Sequence, residues 1–285
     1  MKITELLKTK MSFSFEVFPP KNEQPLQPLL ETIERLSVFS PDFISCTYGA
    51  GGTNKGRSVE VCKSIVDSGN EAMTHFTCIG NSRENIQKEI GSYVQLGIEN
   101  ILALRGDFPP GWTGTQGDFG YADELIAFIK EQFPDLCIAA ACYPEMHLNA
   151  LSFEKDIAHL RIKQDRGAEV LMTQLCHDVE AYERFREKIA KAGIHLPVIF
   201  GLMPVLSKES IVKMALVTGC SIPRDLSAII GKYGDKPEEF KKAGKEYTVN
   251  QIYKYMSAGI DGLHIYVLNK HADVSEIVTA SGIRV

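Results

Sequence analysis

The sequence predicts a (β/α)8 TIM barrel with extra helices before its last strand. Three observations carry that expectation. Short apolar runs alternate with helical patterns along all 285 residues, and repeated β-then-α order implies a parallel sheet. Most intervals between strand starts are roughly 25–35 residues, the size of one βα unit. Eight such runs fit a chain of this length closed into one barrel. A doubly wound open sheet is the rival. It usually carries a glycine-rich phosphate turn after its first strand, and FSFEVFPPK (13–21) has none. No composition shift marks a boundary, so the expected unit is a single catalytic barrel over residues 1–285.

The elements follow in order. LLKTKM near the N-terminus predicts a short helix leading into strand one, FSFEVF (13–18). In that strand Phe13, Phe15 and Val17 share one face, while Ser14, Glu16 and Phe18 share the other. Pro19 and Pro20 end it. LQPLLETIERLSVF then places Leu26, Leu29, Leu30, Ile33 and Leu36 on one helical stripe. Strand two is FISCTYG (43–49). The following GAGGTNKGRS (49–58) lacks the GxxxxGK[ST] spacing of a phosphate loop and reads as a flexible strand-to-helix connection. The next helix, RSVEVCKSIVDSG, stops at Gly69. Strand three, MTHFTCIG (73–80), precedes SRENIQKEIGSYVQLG, which stops at Gly97. Strand four, NILALRGD (100–107), runs into FPPGWTGTQGDFG (108–120), a candidate lid carrying the single tryptophan. YADELIAFIKEQF, strand five CIAAACYPE (137–145) and FEKDIAHLRIKQDRG follow. Strand six is VLMTQL (170–175), then VEAYERFREKIAKAG. Strand seven is PVIFGLMP (197–204). Residues 205–261 carry the extra helices, and GLHIYVLN (262–269) is strand eight. Apolar spacings of 3 and 4, charged outer faces and glycine stops support each helix.

Composition narrows the class of function. Hydrophobic residues are 44% and charged residues 24%, with a formal net charge of -5. Lysines and arginines are scattered, which argues against a nucleic-acid surface. No run approaches the ~18 apolar residues of a membrane span, and MKITELLKTK has no apolar signal region. Seven cysteines, an odd number with no CxxC, read as reduced buried thiols of a cytoplasmic protein. Cys176 and His177 adjoin after strand six, but no third metal ligand stands at motif spacing. No metal is expected. GxSxG, HExxH and GxGxxG are all absent.

In a barrel of this kind the chemistry sits at the C-terminal strand ends. Polar side chains collect there: Glu16, Thr47 and Tyr48, His75, Arg105 and Asp107, Tyr143, Glu145 and His147, Thr173 and Gln174, then Tyr266, Asn269 and Lys270. Strand alternation points Glu16 inward. A carboxyl group there is partly desolvated, which suits it to hold and donate a proton near neutral pH. The competing reading is a structural glutamate paired with Arg105. Each other candidate has a plainer reading too. Asp107 before Pro109 is a turn former, His147 a capping or core histidine, His159 a solvated helix residue, and Gln174 a backbone-bonding strand end.

Read together, FEVFPPK, CTYGAGG, HFTCIG, ALRGDFPPG, AACYPEMH, TQLCHD and HIYVLNK resemble, in order, the signature segments of bacterial methylenetetrahydrofolate reductases. The resemblance runs from about residue 12 to the C-terminus. It implies a TIM barrel holding FAD, reduced by NADH or NADPH and then reducing 5,10-methylenetetrahydrofolate to 5-methyltetrahydrofolate in ping-pong order. It implies that Glu16 is the acid that protonates folate N10, that Asp107 tunes the flavin and steadies the cationic folate, and that Gln174 contacts each substrate in turn. Thr47, Tyr266 and Lys270 are implied near the folate. Flavin contacts are implied for Thr47, Tyr48, Ala50, His75, Leu104, Arg105, Gly106, Asp107, Tyr121, Ala122, Tyr143, His147 and Ala150. Asp156, His159 and Lys163 match positions along the flavin's ribityl, phosphate or adenosine parts. Three departures stand out. Ile162 replaces an arginine of many members, Lys208 a stacking phenylalanine of some, and Lys270 an arginine near the folate. The alternative reading is a core of this kind that takes electrons from a partner protein. Whether the chain forms a homo-oligomer stays open.

Overall fold

The computed structural model describes residues 1–48, 57–109 and 111–284. In it eight parallel strands close on themselves in chain order. They are β1 (Ser12–Val17), β2 (Phe43–Cys46), β3 (Ala72–Thr77), β4 (Asn100–Leu104), β5 (Cys137–Cys142), β6 (Val170–Thr173), β7 (Val198–Leu202) and β8 (Gly262–Tyr266). The last strand pairs with the first, setting Ser14 opposite His264 and Glu16 opposite Tyr266. Closure leaves no edge strand, and the expected TIM barrel is the observed one rather than the open sheet.

Every strand ends before the apolar run that announced it. β2 stops at Cys46, β4 at Leu104 and β8 at Tyr266, because the last residues of each run leave the ladder and turn outward as the mouth. Gly106 does so at φ 90°, and Leu268 and Asn269 at φ 52° and 54°. Asn269 then clips the two chain ends together. Its Oδ1 accepts from Phe18 N at 3.3 Å and its Nδ2 donates to Phe18 O at 3.2 Å.

The outer ring comprises α2 (Gln27–Ser37), α3 (Arg57–Asp67), α4 (Arg83–Gln95), α5 (Ala122–Gln132), α6 (Phe153–Asp165), α7 (Val179–Lys191) and α11 (His271–Ser281). Gly69 and Gly97 take φ 82° and 78° just past α3 and α4, as their reading as stops requires. The extra helices before β8 are α8 (Lys208–Thr218), α9 (Arg224–Tyr233) and α10 (Pro237–Ser257). The N-terminal helix α1 is Ile3–Leu7, earlier than LLKTKM suggested. Its hydrophobic Ile3 was the missed anchor. That side chain is buried with Phe43, Met73, Leu102, Ala139 and Ile199, the lower filling of the barrel, and its N–H donates to Asn100 Oδ1 at 2.8 Å.

Two cores result from the strand alternation. Phe13, Phe15 and Val17 belong to the shell between strands and helices, all fully buried. Each such side chain contributes roughly 1.5–3 kcal/mol, which offsets the cost of giving the inner face of the same strand to Ser14 and Glu16. All seven cysteines are buried and free. Among the described residues no helix is long and apolar enough to cross a membrane. The glycine-rich connection falls outside the described residues as far as residue 56, and Ala50 with it.

Candidate active site

A cavity of about 700 Å³ opens at the C-terminal mouth of the barrel. Its wall mixes polar and apolar side chains. Strands β8, β1, β2 and β3 bring Tyr266, His264, Glu16 and His75, with Thr47 beside them, while β4 to β7 and α8 bring Leu102, Leu104, Ala141, Met172, Met203 and Met214. The polar side chains offer hydrogen-bonding groups, and the apolar ones offer surface that excludes water. This combination is the usual make-up of a ligand pocket.

Glu16 is 8% exposed. Its Oε2 stands 3.5 Å from His75 Nε2 and 3.8 Å from His264 Nε2. Arg105 is not its partner. The Arg105 Nε donates to Gly106 O at 3.1 Å, and the guanidinium lies 5.1 Å from the centre of the Phe108 ring. Burial pushes the His75 imidazole down to about 4, with the nearby Glu16 charge opposing and His264 reinforcing. His264 escaped the sequence reading, yet the signal was there: in GLHIYVLN it shares the inward face with Tyr266, two residues on.

Tyr266 lies across β7. Its O–H donates to Thr173 O at 2.9 Å, and Thr173 Oγ1 accepts from Gly201 N at 2.9 Å. A Cβ on Gly201 would meet the Tyr266 hydroxyl at 2.0 Å, so only glycine lets the ring cross there. Burial, then the Glu16 charge, raise the pKa of this phenol well above the usual tyrosine value. Gln174 lines the same wall, its Oε1 fixed by Leu175 N at 2.7 Å.

Opposite, the β4 and β5 loops build a rim from Arg105, Gly106, Asp107, Tyr143 and His147. The Tyr143 and His147 rings meet edge to face at 4.5 Å. Asp156, on the first turn of α6, accepts from His147 N at 2.9 Å and so braces that rim. Ala150 N donates to His147 O at 2.8 Å. Lys163 is tied by its Nζ to Ala141 O at 2.9 Å, behind the cavity wall. Tyr48 lines the cavity, but its hydroxyl turns outward and donates to the Glu89 carboxylate at 2.9 Å.

Other singled-out residues stand further off. Tyr121 caps α5 and is 58% exposed, with Ala122 opening the helix. His159 is exposed on α6, and Lys270 is exposed at the start of α11; neither lines the cavity. Ile162 is 40% exposed. Lys208 pairs with Asp235 at 3.2 Å, and the wall on its side is formed by Met203, Met214 and Leu268. Trp112 lies over Gly80, where a Cβ would meet its ring at 2.7 Å, and does not line the cavity.

No group of three metal-ligating side chains occurs among the described residues. His177 is instead a buried histidine, 2% exposed. Burial pushes it down to about 4 against the pull of Asp225. Folding therefore keeps it neutral, whereas the unfolded chain protonates it near pH 6.5. Its contribution to stability is complete above about pH 6.5 and is lost as pH falls toward about 4. His177→Phe should flatten the loss of unfolding free energy over that window by roughly 3 kcal/mol. Urea unfolding at stepped pH measures this; an unchanged slope in the variant refutes it.

Comparison with known proteins adds an independent line. The family model described as methylenetetrahydrofolate reductase matches residues 2–282. The chain is 34% identical over 276 residues to the 5,10-methylenetetrahydrofolate reductase of Escherichia coli (strain K12), covering 96% of this chain and 92% of that one. It is 34% identical over 265 residues to the Pectobacterium carotovorum protein of the same description, covering 93% and 88%. Methylenetetrahydrofolate reductase (NADH) 1 of Arabidopsis thaliana is 32% identical over 94% of this chain but 49% of its own length. Among solved structures, an uncharacterized protein from Clostridium thermocellum that binds two copies of 5-methyl-5,6,7,8-tetrahydrofolic acid matches with a TM-score of 0.68, over 100% of this chain and 99% of that one. At 16% identity that likeness shows the fold alone.

Proposed function

The chain belongs to the methylenetetrahydrofolate reductase family, and on that premise we propose that it uses bound FAD, hydride from NADH or NADPH, and Glu16 as general acid to form 5-methyltetrahydrofolate. The observation that carries the acid assignment is the place of Glu16: buried, inward, with no arginine or lysine ion pair among the described residues, and facing the cavity beside two histidines. Such a carboxyl group can carry a proton to a bound ligand.

The residues fit FAD. Strand β5 reads CIAAAC, and its Ala141 lines the cavity with a side chain too small to obstruct a flat ring. Leu104, Thr47, Tyr48, His75 and the rim from Arg105 to Asp107 would hold the ring, with Tyr143 and His147 at its side. Ala50, Tyr121, Ala122, Ala150, Asp156, His159 and Lys163 are proposed along its tail, where cationic side chains can meet phosphates. When bound, FAD would take hydride from the nicotinamide and give it to the one-carbon unit of the folate.

The remaining steps belong to the chain. Glu16 gives its proton to N10 of 5,10-methylenetetrahydrofolate. The bond from N10 to the bridging carbon breaks, its electron pair stays on N10, and a 5-iminium cation results. Asp107 on the rim would face that cation and stabilise it. Gln174 and Thr47 would hold the pterin through hydrogen bonds, while Tyr266 packs beside it and Lys270 meets the tail. Water re-protonates Glu16 after each turnover. Ping-pong order rests on both substrates using this cavity in turn, against the apolar side chains Met203, Met214 and Leu268 that line it.

The purified protein should be yellow, and its visible flavin absorbance should bleach when NADH or NADPH is added anaerobically. A colourless protein with no flavin uptake would remove the cofactor reading. A yellow protein that neither nicotinamide bleaches would favour a partner protein as electron donor.

A further inference from the structure

Beneath Glu16 lies a buried chain of polar groups that the acid reading does not use. Ser14 Oγ is 2.7 Å from His264 Nδ1 and 3.3 Å from the Leu263 carbonyl oxygen. Ser45 Oγ is 3.1 Å from His264 Nε2 and 3.2 Å from His75 Nε2. Ser14, Ser45 and His264 are at most 1% exposed, and His75 is 6% exposed. In such surroundings a lost hydrogen bond is costly, so the direction of each one is constrained.

One direction satisfies every contact. The Leu263 carbonyl can only accept, so the Ser14 hydroxyl donates to it. The Ser14 oxygen then accepts from Nδ1–H of His264. His264 Nε2 is left as a lone pair, which accepts the Ser45 hydroxyl. The Ser45 oxygen is left to accept from Nε2–H of His75. Reversing the chain strands the Leu263 contact. The two histidines thus hold opposite tautomers at the atoms that face Glu16.

We infer that His75 and His264 are positioning residues that serve the two protonation states of Glu16 in turn. His75 presents Nε2–H to the carboxylate, and His264 presents the bare Nε2 to the carboxylic acid. The present separations of 3.5 and 3.8 Å are longer than hydrogen bonds, and each nitrogen has a single N–H or lone pair, now engaged by Ser45; a small turn of the Glu16 side chain when ligand enters closes either contact in exchange for the Ser45 bond on that nitrogen. Both forms of the acid then have a partner, before and after the proton leaves for N10. The inference rests on Glu16 being the acid.

The other titratable groups around Glu16 do not supply this service. Tyr266 from β8 and Cys46 from β2 are pushed up, by burial first and by the Glu16 charge among the further causes, and stay neutral. Arg105 and Asp107 line the same cavity from the β4 loop, and Arg105 is turned to Phe108. Burial keeps His75 uncharged across the neutral range.

The test has two arms. Nitrogen-15 NMR of the histidine-labelled holoenzyme should find His264 protonated on Nδ1 and His75 on Nε2. A proton on Nε2 of His264 overturns the inference without any variant. In the second arm, the folate half-reaction is followed against pH by stopped flow. His264→Phe removes the acceptor for the acid, so the midpoint of its alkaline fall should move down by about one pH unit. His75→Phe removes the donor to the carboxylate, so its midpoint should move up, and His75→Gln, which restores an N–H, should return it. Shifts in the same direction, or none, overturn the inference. If Glu16→Gln reduces folate normally, the acid reading itself has failed; if that variant is inactive but the midpoints stay put, only this inference has.

Discussion

Glu16→Gln is expected to bind flavin and accept hydride from the nicotinamide, yet to reduce 5,10-methylenetetrahydrofolate roughly 10²–10⁴-fold more slowly. The substitution is nearly isosteric and leaves Phe13, Phe15 and Val17 to hold β1 in place. The amide can still meet His75 and His264, so the cavity should keep its shape. What it cannot do is release a proton to N10. On the proposed mechanism the folate ring would then not open and no cationic acceptor would form. Separate stopped-flow measurement of the two half-reactions decides the matter. A folate half-reaction within a few-fold of the parent would end the assignment, as would equal losses in both halves.

The second large effect is on stability. Gly201→Ala should destabilise the protein by about 1–3 kcal/mol, lowering the melting temperature by at least several degrees. The new Cβ would lie 2.0 Å from the Tyr266 hydroxyl, 2.6 Å from the Thr173 carbonyl oxygen and 2.7 Å from the tyrosine Cζ. Strand β7 is paired on both sides and cannot retreat. Tyr266 must therefore move, giving up its bond to Thr173 and its place in the cavity wall. Adding Tyr266→Phe to Gly201→Ala should restore part of the stability and no more, since the contacts with Cζ and the carbonyl remain. A differential scan of parent, single and double variants reads this directly. A single variant as stable as the parent would show that the ring is not seated as described.

Most of the frame could be read from the chain, because strand alternation and helical stripes are short-range signals. The inward turn of Glu16 followed from Phe13, Phe15 and Val17 alone. What could not be read depends on contacts between distant positions. His264 meets Ser14 across 250 positions and Ser45 across 219, and only closure of the barrel makes them neighbours. Tyr48 lines the cavity, but nothing local says that Glu89 on α4 turns its hydroxyl away. Ile3 was overlooked because a five-residue helix has too little periodicity to advertise a buried side chain. The strand ends ran long in the reading because apolar character continues past the last paired residue, into the loops that form the mouth.

The pairing of β1 with β8 has a consequence for when the protein becomes competent. Glu16 comes from the sixteenth position of the chain, and its neighbours His264 and Tyr266 from the final strand. Until β8 docks, the carboxyl group has neither His264 nor the wall that Tyr266 completes. A nascent or partly opened chain thus carries the proposed acid without its surroundings. Zipping the seam, fastened by Asn269 on Phe18, closes the barrel and completes the surroundings of the proposed acid.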